Sequence, residues 1–401
     1  MKLSRCKITN SVNKKIINFG KMPIANCFIK KKDLKKEFFF NLSVSFSEKI
    51  SLLQLDDHPK PEMMFNNKYP FYTSSSKFMI SHFNNYAHWA QKKFINKNNN
   101  KIIEIGSNDG TFLKNFKKKF FEHAGFEPSK KISDLARSKG LNSIPKFFNR
   151  KNLDSIENFI SSTDIIFGSN VICHIPDLIE FIKTSDLLLS KDGKIIFEEP
   201  YLGSMYKKIS YDQIYDEHIF IFSVTSIKKI FDLFNFELID AIYQPTHGGS
   251  MRYVIQRSKG SKVNKKINRL LEYEKREDID SLKGALKFKK NCQLSKEKLL
   301  SKLKKIKKAG KKICGYGATS KSTTILNYCN IGTDFINCIY DTTPDKIGKL
   351  SPGKHIPILD HKNFKNDNCD YVFLFAWNHK KEIEKKEKDF LKRGGKWITH
   401  F

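Results

Sequence analysis

A chain of 401 residues is long enough for two or three domains with cores of their own. A hydrophobic content of 39% with 34 phenylalanines excludes a disordered chain. No run approaches the ~20 apolar residues of a membrane span and the N-terminus lacks an apolar signal core, so no membrane partner and a cytoplasmic location are expected. The formal net charge of +31 is carried by lysines spread through every segment beside abundant Asn, Ile and Phe. That pattern reads as AT-rich coding bias rather than a nucleic-acid-binding face, although a positive field still helps to capture an anionic substrate.

Residues 1–75 read as a small mixed unit. Alternating Phe40, Leu42, Val44 and Phe46, then Ile50, Leu52, Leu53 and Leu55, predict short strands. Cys6 and Cys27 have no CxxC partners, and the eight cysteines are scattered as reduced thiols would be. The polar, aromatic stretch from Tyr69 to Ser76, with Tyr72 and Ser75 inside it, leads into a predicted helix over 78–94. Such Ser, Thr and Tyr are ordinary cap chemistry, and they can also line a sugar pocket.

The stretch KIIEIGSNDG, Lys101 to Gly110, organises the middle of the chain. Ile102, Ile103 and Ile105 make a buried strand that runs into a turn with Gly106 and Gly110, and a helix is predicted over 111–120. Strand, glycine turn and helix form the first half of a doubly wound nucleotide site. The Gly-x-x-x-Gly spacing differs from that of dinucleotide enzymes, and Glu104 and Asp109 stand where a phosphate cradle would avoid acids. A second strand over 123–126 ends in Glu127, where an acid grips ribose hydroxyls in such folds. With Ser107 and Asn108 in the turn, these features favour S-adenosylmethionine, a sulfonium nucleoside without phosphates.

A βαβα rhythm continues to about residue 258, with strands over 164–167 and 194–197. In an open α/β sheet, ligands bind beyond the carboxyl ends of the strands. The Gly106–Gly110 turn, Glu127, the run from Asn170 to His174, and Glu198-Glu199 all fall there. Next come Tyr215, Asp216, Glu217 and His218. His218 is suited to proton transfer near neutral pH, and Glu217 can orient it if the segment is a turn rather than a strand. His247 and Arg252 flank a Gly-rich turn before another strand.

Residues 259–309 are strongly helical and basic. An α/β pattern then restarts with Gly315, Tyr316 and a near-miss of a triphosphate loop, in which Ser320 stands at the second glycine and Lys321 follows. An NTPase is not expected, but that turn and helix start suit a phosphate. The next strand ends in Asp341, and Lys346 lies in the loop after it.

Together these phrases resemble the three-domain sugar C-methyltransferases of deoxysugar biosynthesis, which methylate carbon 3 of nucleotide-linked 4-keto hexoses. The matching stretches are 20–29, 69–76, 104–110, 170–177, 215–223, 247–252, 315–321 and 341–358, in the family's order. The resemblance implies an α/β fold in three parts: a small β-rich domain over 1–77, a Rossmann-like class I methyltransferase domain over 78–258, and a C-terminal Rossmann-like substrate domain over 259–401. It implies that His218 is the base, assisted by Glu217, with His174, Tyr215 and a tyrosine of the N-terminal loop, Tyr69 before Tyr72, in the same site. Glu104, Gly106, Ser107, Asn108, Asp109, Gly110, Glu127 and Asn170 would hold S-adenosylmethionine. Tyr72, Ser75, His247, Arg252, Gly315, Tyr316, Lys321, Asp341 and Lys346 would hold the nucleotide sugar. The family's N-terminal domain carries four zinc-binding cysteines. Here only Cys6 remains, with Thr9, Ser47 and Ile50 in the other places, so no metal is expected and the domain would rest on its own apolar core. A monomer or weak homodimer without nucleic acid is expected. The rival readings are an O- or N-methyltransferase of another small metabolite, and an RNA-binding protein on a vestigial methyltransferase fold.

Overall fold

The computed structural model describes residues 3–95, 100–117, 119–260 and 264–401. It is a mixed α/β structure built on three sheets. Among these residues no helix is long and apolar enough to cross a membrane.

The central sheet has seven strands in the order Phe236–Gln244, Ser250–Arg257, Leu189–Pro200, Thr163–Ser169, Asn100–Ile105, Phe121–Phe126 and Ser143–Ile144. The last five run parallel, and the first two are antiparallel additions. Asn100–Ile105 is buried on both faces because its successive isoleucines point into different clusters. Ile102 joins Phe83, Tyr86, Phe112 and Phe167, whereas Ile103 joins Phe126, Phe181 and Ile182. Strand order reverses at Asn100–Ile105, which places the crevice between the ends of Asn100–Ile105 and Thr163–Ser169.

The predicted helix over 111–120 is corrected. Only Leu113–Asn115 forms a single 3-10 turn; Lys118 lies outside the described residues. The Asn115 side chain donates to the carbonyls of Thr111 and Phe112 at 3.2 and 2.7 Å, competing with a helical ladder there. Phe112 and Phe116 are drawn into the aromatic cluster instead.

The N-terminal sheet pairs Lys14–Pro23, Phe39–Ser47 and Leu52–Leu55 antiparallel, and its fourth strand, Phe220–Ile221, comes from the segment between two strands of the central sheet, Leu189–Pro200 and Phe236–Gln244. The basic helices are Lys265–Arg276 and Leu282–Lys308; residues 261–263 of the expected helical stretch lie outside the described residues. The C-terminal sheet is parallel throughout, in the order Ile358–Asp360, Ile339–Asp341, Ile313–Tyr316, Tyr371–Leu374 and Lys396–Ile398.

The N-terminal unit does not rest on a core of its own. Phe19, Val44, Phe46 and Leu53 belong to one apolar cluster with Phe288 and Leu299 of the long helix and Ile325 and Phe373 of the C-terminal part. First and last segments of the chain are therefore held together by shared burial, which is non-directional and scales with apolar area.

Candidate active site

A cavity of about 340 Å³ opens at the carboxyl ends of Asn100–Ile105 and Thr163–Ser169, a size suited to a small-molecule site. Gly106, with φ +64°, makes the turn that lets backbone border it, and a Cβ there would meet Val171 at 2.7 Å. Glu127 lines the cavity while its two oxygens accept from Asn108 N at 3.1 Å and Ser129 N at 2.8 Å. Each oxygen keeps a further lone pair for a hydroxyl. Burial raises the Glu127 carboxyl to about 7 and pushes that of Glu104 well above its ordinary value.

Five buried polar atoms around the cavity have no hydrogen-bond partner among the described residues: Glu104 Oε2, Ser107 Oγ, Asn149 Oδ1, Asn170 Oδ1 and His174 Nε2. Buried polar groups are rarely left so, and a polar nucleoside ligand would satisfy them. Phe126, Phe147, Phe148 and Ile175 supply the apolar wall that a purine needs. The donor set therefore fits S-adenosylmethionine.

Two of the expected cofactor residues, Asn108 on the cavity lining and Asp109 behind it, also hold the aromatic loop. The Asn108 side chain accepts from Thr73 N at 2.9 Å and donates to the Phe71 carbonyl at 3.2 Å. Asp109 accepts from Ser74 N at 3.1 Å and Thr111 Oγ1 at 2.6 Å. These side chains tether the aromatic loop over the turn, and Asp109 and Gly110 do not line the cavity. Glu199, read only as a strand-end acid, accepts from Val171 N at 3.0 Å and Ile172 N at 2.7 Å and so shapes the loop that carries Asn170 and His174.

A ladder of rings leads from the cavity inward. Tyr69 meets Phe65 at 5.4 Å, Phe65 stacks on His174 at 5.5 Å, His174 stacks on His218 at 5.3 Å, and Tyr215 lies 4.1 Å from His218. Residues 215–218 form a turn closed by His218 N to the Tyr215 carbonyl at 3.0 Å. His218 Nδ1 is 2.7 Å from the Gln213 carbonyl, so it carries the proton and donates. Nε2 is then the bare nitrogen, accepting from the Tyr215 hydroxyl at 2.8 Å. Burial holds His218 well below its ordinary value and brings His174 to about 3, so both rings are neutral near pH 7.

Glu217 does not bond to His218, contrary to expectation; the Gln213 carbonyl orients the ring. Glu217 instead accepts from Asn26 Nδ2 at 2.6 Å and the Tyr69 hydroxyl at 3.1 Å, and burial raises its carboxyl to about 7. The backbone of Ala25 donates to Asp216 at 3.0 Å, while Thr323 and Thr324 of the helix Ser320–Tyr328 donate to the carbonyls of Ala25 and Ile214. Segments from all three sheets thus lock this turn.

The expected substrate residues are divided. His247 lines the cavity. Lys321 is half-buried, with Nζ 3.2 Å from Asn378 Oδ1 and 4.8 Å from the Trp377 ring. Asp341 accepts from Ala318 N at 2.6 Å and Lys346 donates to the Ala318 carbonyl at 2.7 Å, so both brace the turn before Lys321. The remaining five are corrected. Arg252 is buried, stacked on Tyr86 and Trp89 and paired with Glu198 at 2.5 Å. Gly315 is enclosed by Phe375 and Ile339, and Tyr316 donates to Glu387 inside the far cluster. Tyr72 turns away under Lys131, and Ser75 donates to the Tyr72 carbonyl.

Three family models match the chain in order. Residues 6–65 match a candidate zinc binding domain, 80–241 a methyltransferase domain and 245–401 a C-methyltransferase C-terminal domain. The C-methyltransferase NovU of Streptomyces niveus is 27% identical over 386 residues, covering 96% of this chain and 92% of NovU. Among solved structures, a Haloferax volcanii methyltransferase bound to its Trm112 activator aligns with TM-score 0.38 at 12% identity, over 46% of this chain and 94% of that one. The magnesium protoporphyrin IX methyltransferase of Synechocystis, solved with S-adenosylmethionine, aligns with TM-score 0.33 at 13% identity, over 45% of this chain and 79% of that one.

Around Cys6 the residues do not fit a structural zinc, which needs about four ligands. Its sulfur accepts from Thr9 N at 3.4 Å and sits in an apolar cluster with Ile50 and Leu52. With its Rossmann-like sheet and three family parts matched in order, the chain is an S-adenosylmethionine-dependent methyltransferase, similar over nearly its whole length to a C-methyltransferase.

Proposed function

We propose that this enzyme methylates the carbon beside a ketone of a small nucleotide-linked sugar, carbon 3 of a 4-keto hexose, in the cytoplasm, with His218 as the base. The observation that carries the reading is the bare Nε2 of His218, fixed in its tautomer by the Gln213 carbonyl and joined to the cofactor cavity through the stacked ring of His174. A ketone acidifies the neighbouring C–H, and a neutral imidazole held in place is the group to take that proton. His218 Nε2 accepts it, and the Tyr215 hydroxyl, released from the ring, donates to the ketone oxygen. Tyr69 and His174 stand on the same wall to stabilise negative charge on that oxygen. When bound, S-adenosylmethionine supplies an electrophilic methyl group on a sulfonium. The chain's part is then to hold the carbanion carbon against it and exclude water.

Glu217 acts through Tyr69, holding the hydroxyl in position. In this proposal residues 1–77 supply the wall over the turn, 78–258 the donor site, and 259–401 the nucleotide grip. Lys321, half-buried beside Trp377, offers the cation for a diphosphate. Incubation with methyl-labelled S-adenosylmethionine and a panel of nucleotide 4-keto sugars tests this. A product with a new carbon–carbon bond next to the ketone, seen by NMR, is expected. A methyl ether or amine as the product removes the proposal.

A further inference from the structure

Three of the eight cysteines converge in the C-terminal part, at the opposite end of the sheet from the substrate side. Cys314 lies early in the strand Ile313–Tyr316, Cys338 immediately precedes Ile339–Asp341, and Cys369 precedes Tyr371–Leu374. The first strand pairs with both of the others, so its thiol lies between its neighbours'. All three are buried. The Cys314 thiol donates to Asp367 Oδ2 at 3.5 Å, and Cys338 lies beside it across the paired strands. The ligand atoms of Cys314, Asp367 and Cys369 all lie within 4.8 Å of one another.

We propose that Cys314, Cys369 and Asp367, with the neighbouring Cys338 as the fourth donor, hold a zinc-type divalent cation, separate from the methyl-transfer site. Thiols used only as apolar filling need no carboxylate among them, whereas three soft sulfurs and one oxygen make a complete donor set for such an ion. Sulfurs bound at about 2.3 Å on a tetrahedron sit about 3.8 Å apart, so Cys314 and Cys369 need only a small contraction, whereas Cys338 must rotate toward them to complete the set.

The surroundings suit an anionic centre. Lys312 Nζ donates to Asp367 Oδ1 at 2.5 Å, and the Tyr340 hydroxyl donates to Oδ2. The Arg393 guanidinium bonds the Asp367 carbonyl at 2.9 Å and lies near Cys369. Partners of this kind orient ligands and offset their charge. Ligands in α/β sheets bind at the carboxyl ends of strands, and these thiols sit at the amino ends. The ion's role is therefore structural, tying the 361–370 segment to the sheet.

The test uses the full-length protein, stripped of metal, reduced and titrated anaerobically with Co²⁺. We expect thiolate-to-cobalt charge transfer and tetrahedral visible bands that saturate at one equivalent and are bleached by Zn²⁺. Cys369→Ser removes the charge-transfer intensity, whereas Cys6→Ser and Cys173→Ser keep it. The Cys173 control matters because Cys173, His174 and His218 also bring ligand atoms together. No thiolate band from the wild-type protein overturns the proposal, a result independent of any variant's folding. So does a band that survives Cys369→Ser or disappears in Cys173→Ser.

Discussion

Asn26 Nδ2 donates to Glu217 Oε1 at 2.6 Å, joining the N-terminal segment to the turn that carries His218. The same carboxylate takes the Tyr69 hydroxyl at 3.1 Å. One buried acid thus fixes two segments of the N-terminal part against the turn that carries His218.

Asn26→Ala leaves Glu217 buried with one partner fewer. A lost partner of this kind costs about 1–3 kcal/mol, so a lower urea midpoint and a reduced kcat are expected, with S-adenosylmethionine affinity unchanged. A variant with wild-type midpoint and kcat contradicts the proposed role of this contact.

Glu127 faces the cavity with lone pairs to spare. Glu127→Ala is expected to weaken S-adenosylmethionine binding in calorimetry by about tenfold or more, at about 1.4 kcal/mol per tenfold, with the circular dichroism spectrum retained. Unchanged affinity places the ribose elsewhere.

Glu199 carries a pH signature. Burial raises its carboxyl from 4.5 in the unfolded chain to about 7. Between those values the folded state holds a proton that the unfolded state releases, so this group's contribution to stability falls as pH rises through that window and levels off above it. Glu199→Gln keeps an acceptor for Val171 N and Ile172 N but cannot titrate. Denaturant midpoints measured across the window should decline less steeply in the variant; identical slopes rule out this assignment.

Cys6 is expected to hold no metal. Cys6→Ala should leave the zinc content of the purified protein unchanged by elemental analysis. Loss of an equivalent of zinc in that variant shows a ligand set around Cys6 after all.

The strand ends of the methyltransferase sheet are legible in the sequence because they are local: a short apolar strand, then Gly106 or Asn170, both at positive φ. Glu127 and His218 can be singled out the same way. What escapes is tertiary. Nothing near Asn108 indicates that its side chain is spent on Thr73 and Phe71, nor near Arg252 that Tyr86, Trp89 and Glu198 enclose it. Phe65 resembles any surface aromatic until it stacks on His174. Cys314, Cys338 and Cys369 lie far apart in the chain, and parallel strand pairing brings them together. Asparagine at 115 gave a local warning against the helix expected over 111–120, since its amide competes for backbone carbonyls.

The central claim is that His218 removes a carbon-bound proton. It is tested apart from methyl transfer by following exchange of that proton, in a nucleotide 4-keto sugar, with deuterium from solvent. The wild-type enzyme should catalyse the exchange. His218→Asn, which keeps size and polarity but removes the basic nitrogen, should lose it by a factor of about 10²–10⁴, with S-adenosylmethionine affinity nearly unchanged. Exchange at the wild-type rate in His218→Asn contradicts the account and makes His174 the next candidate for the base.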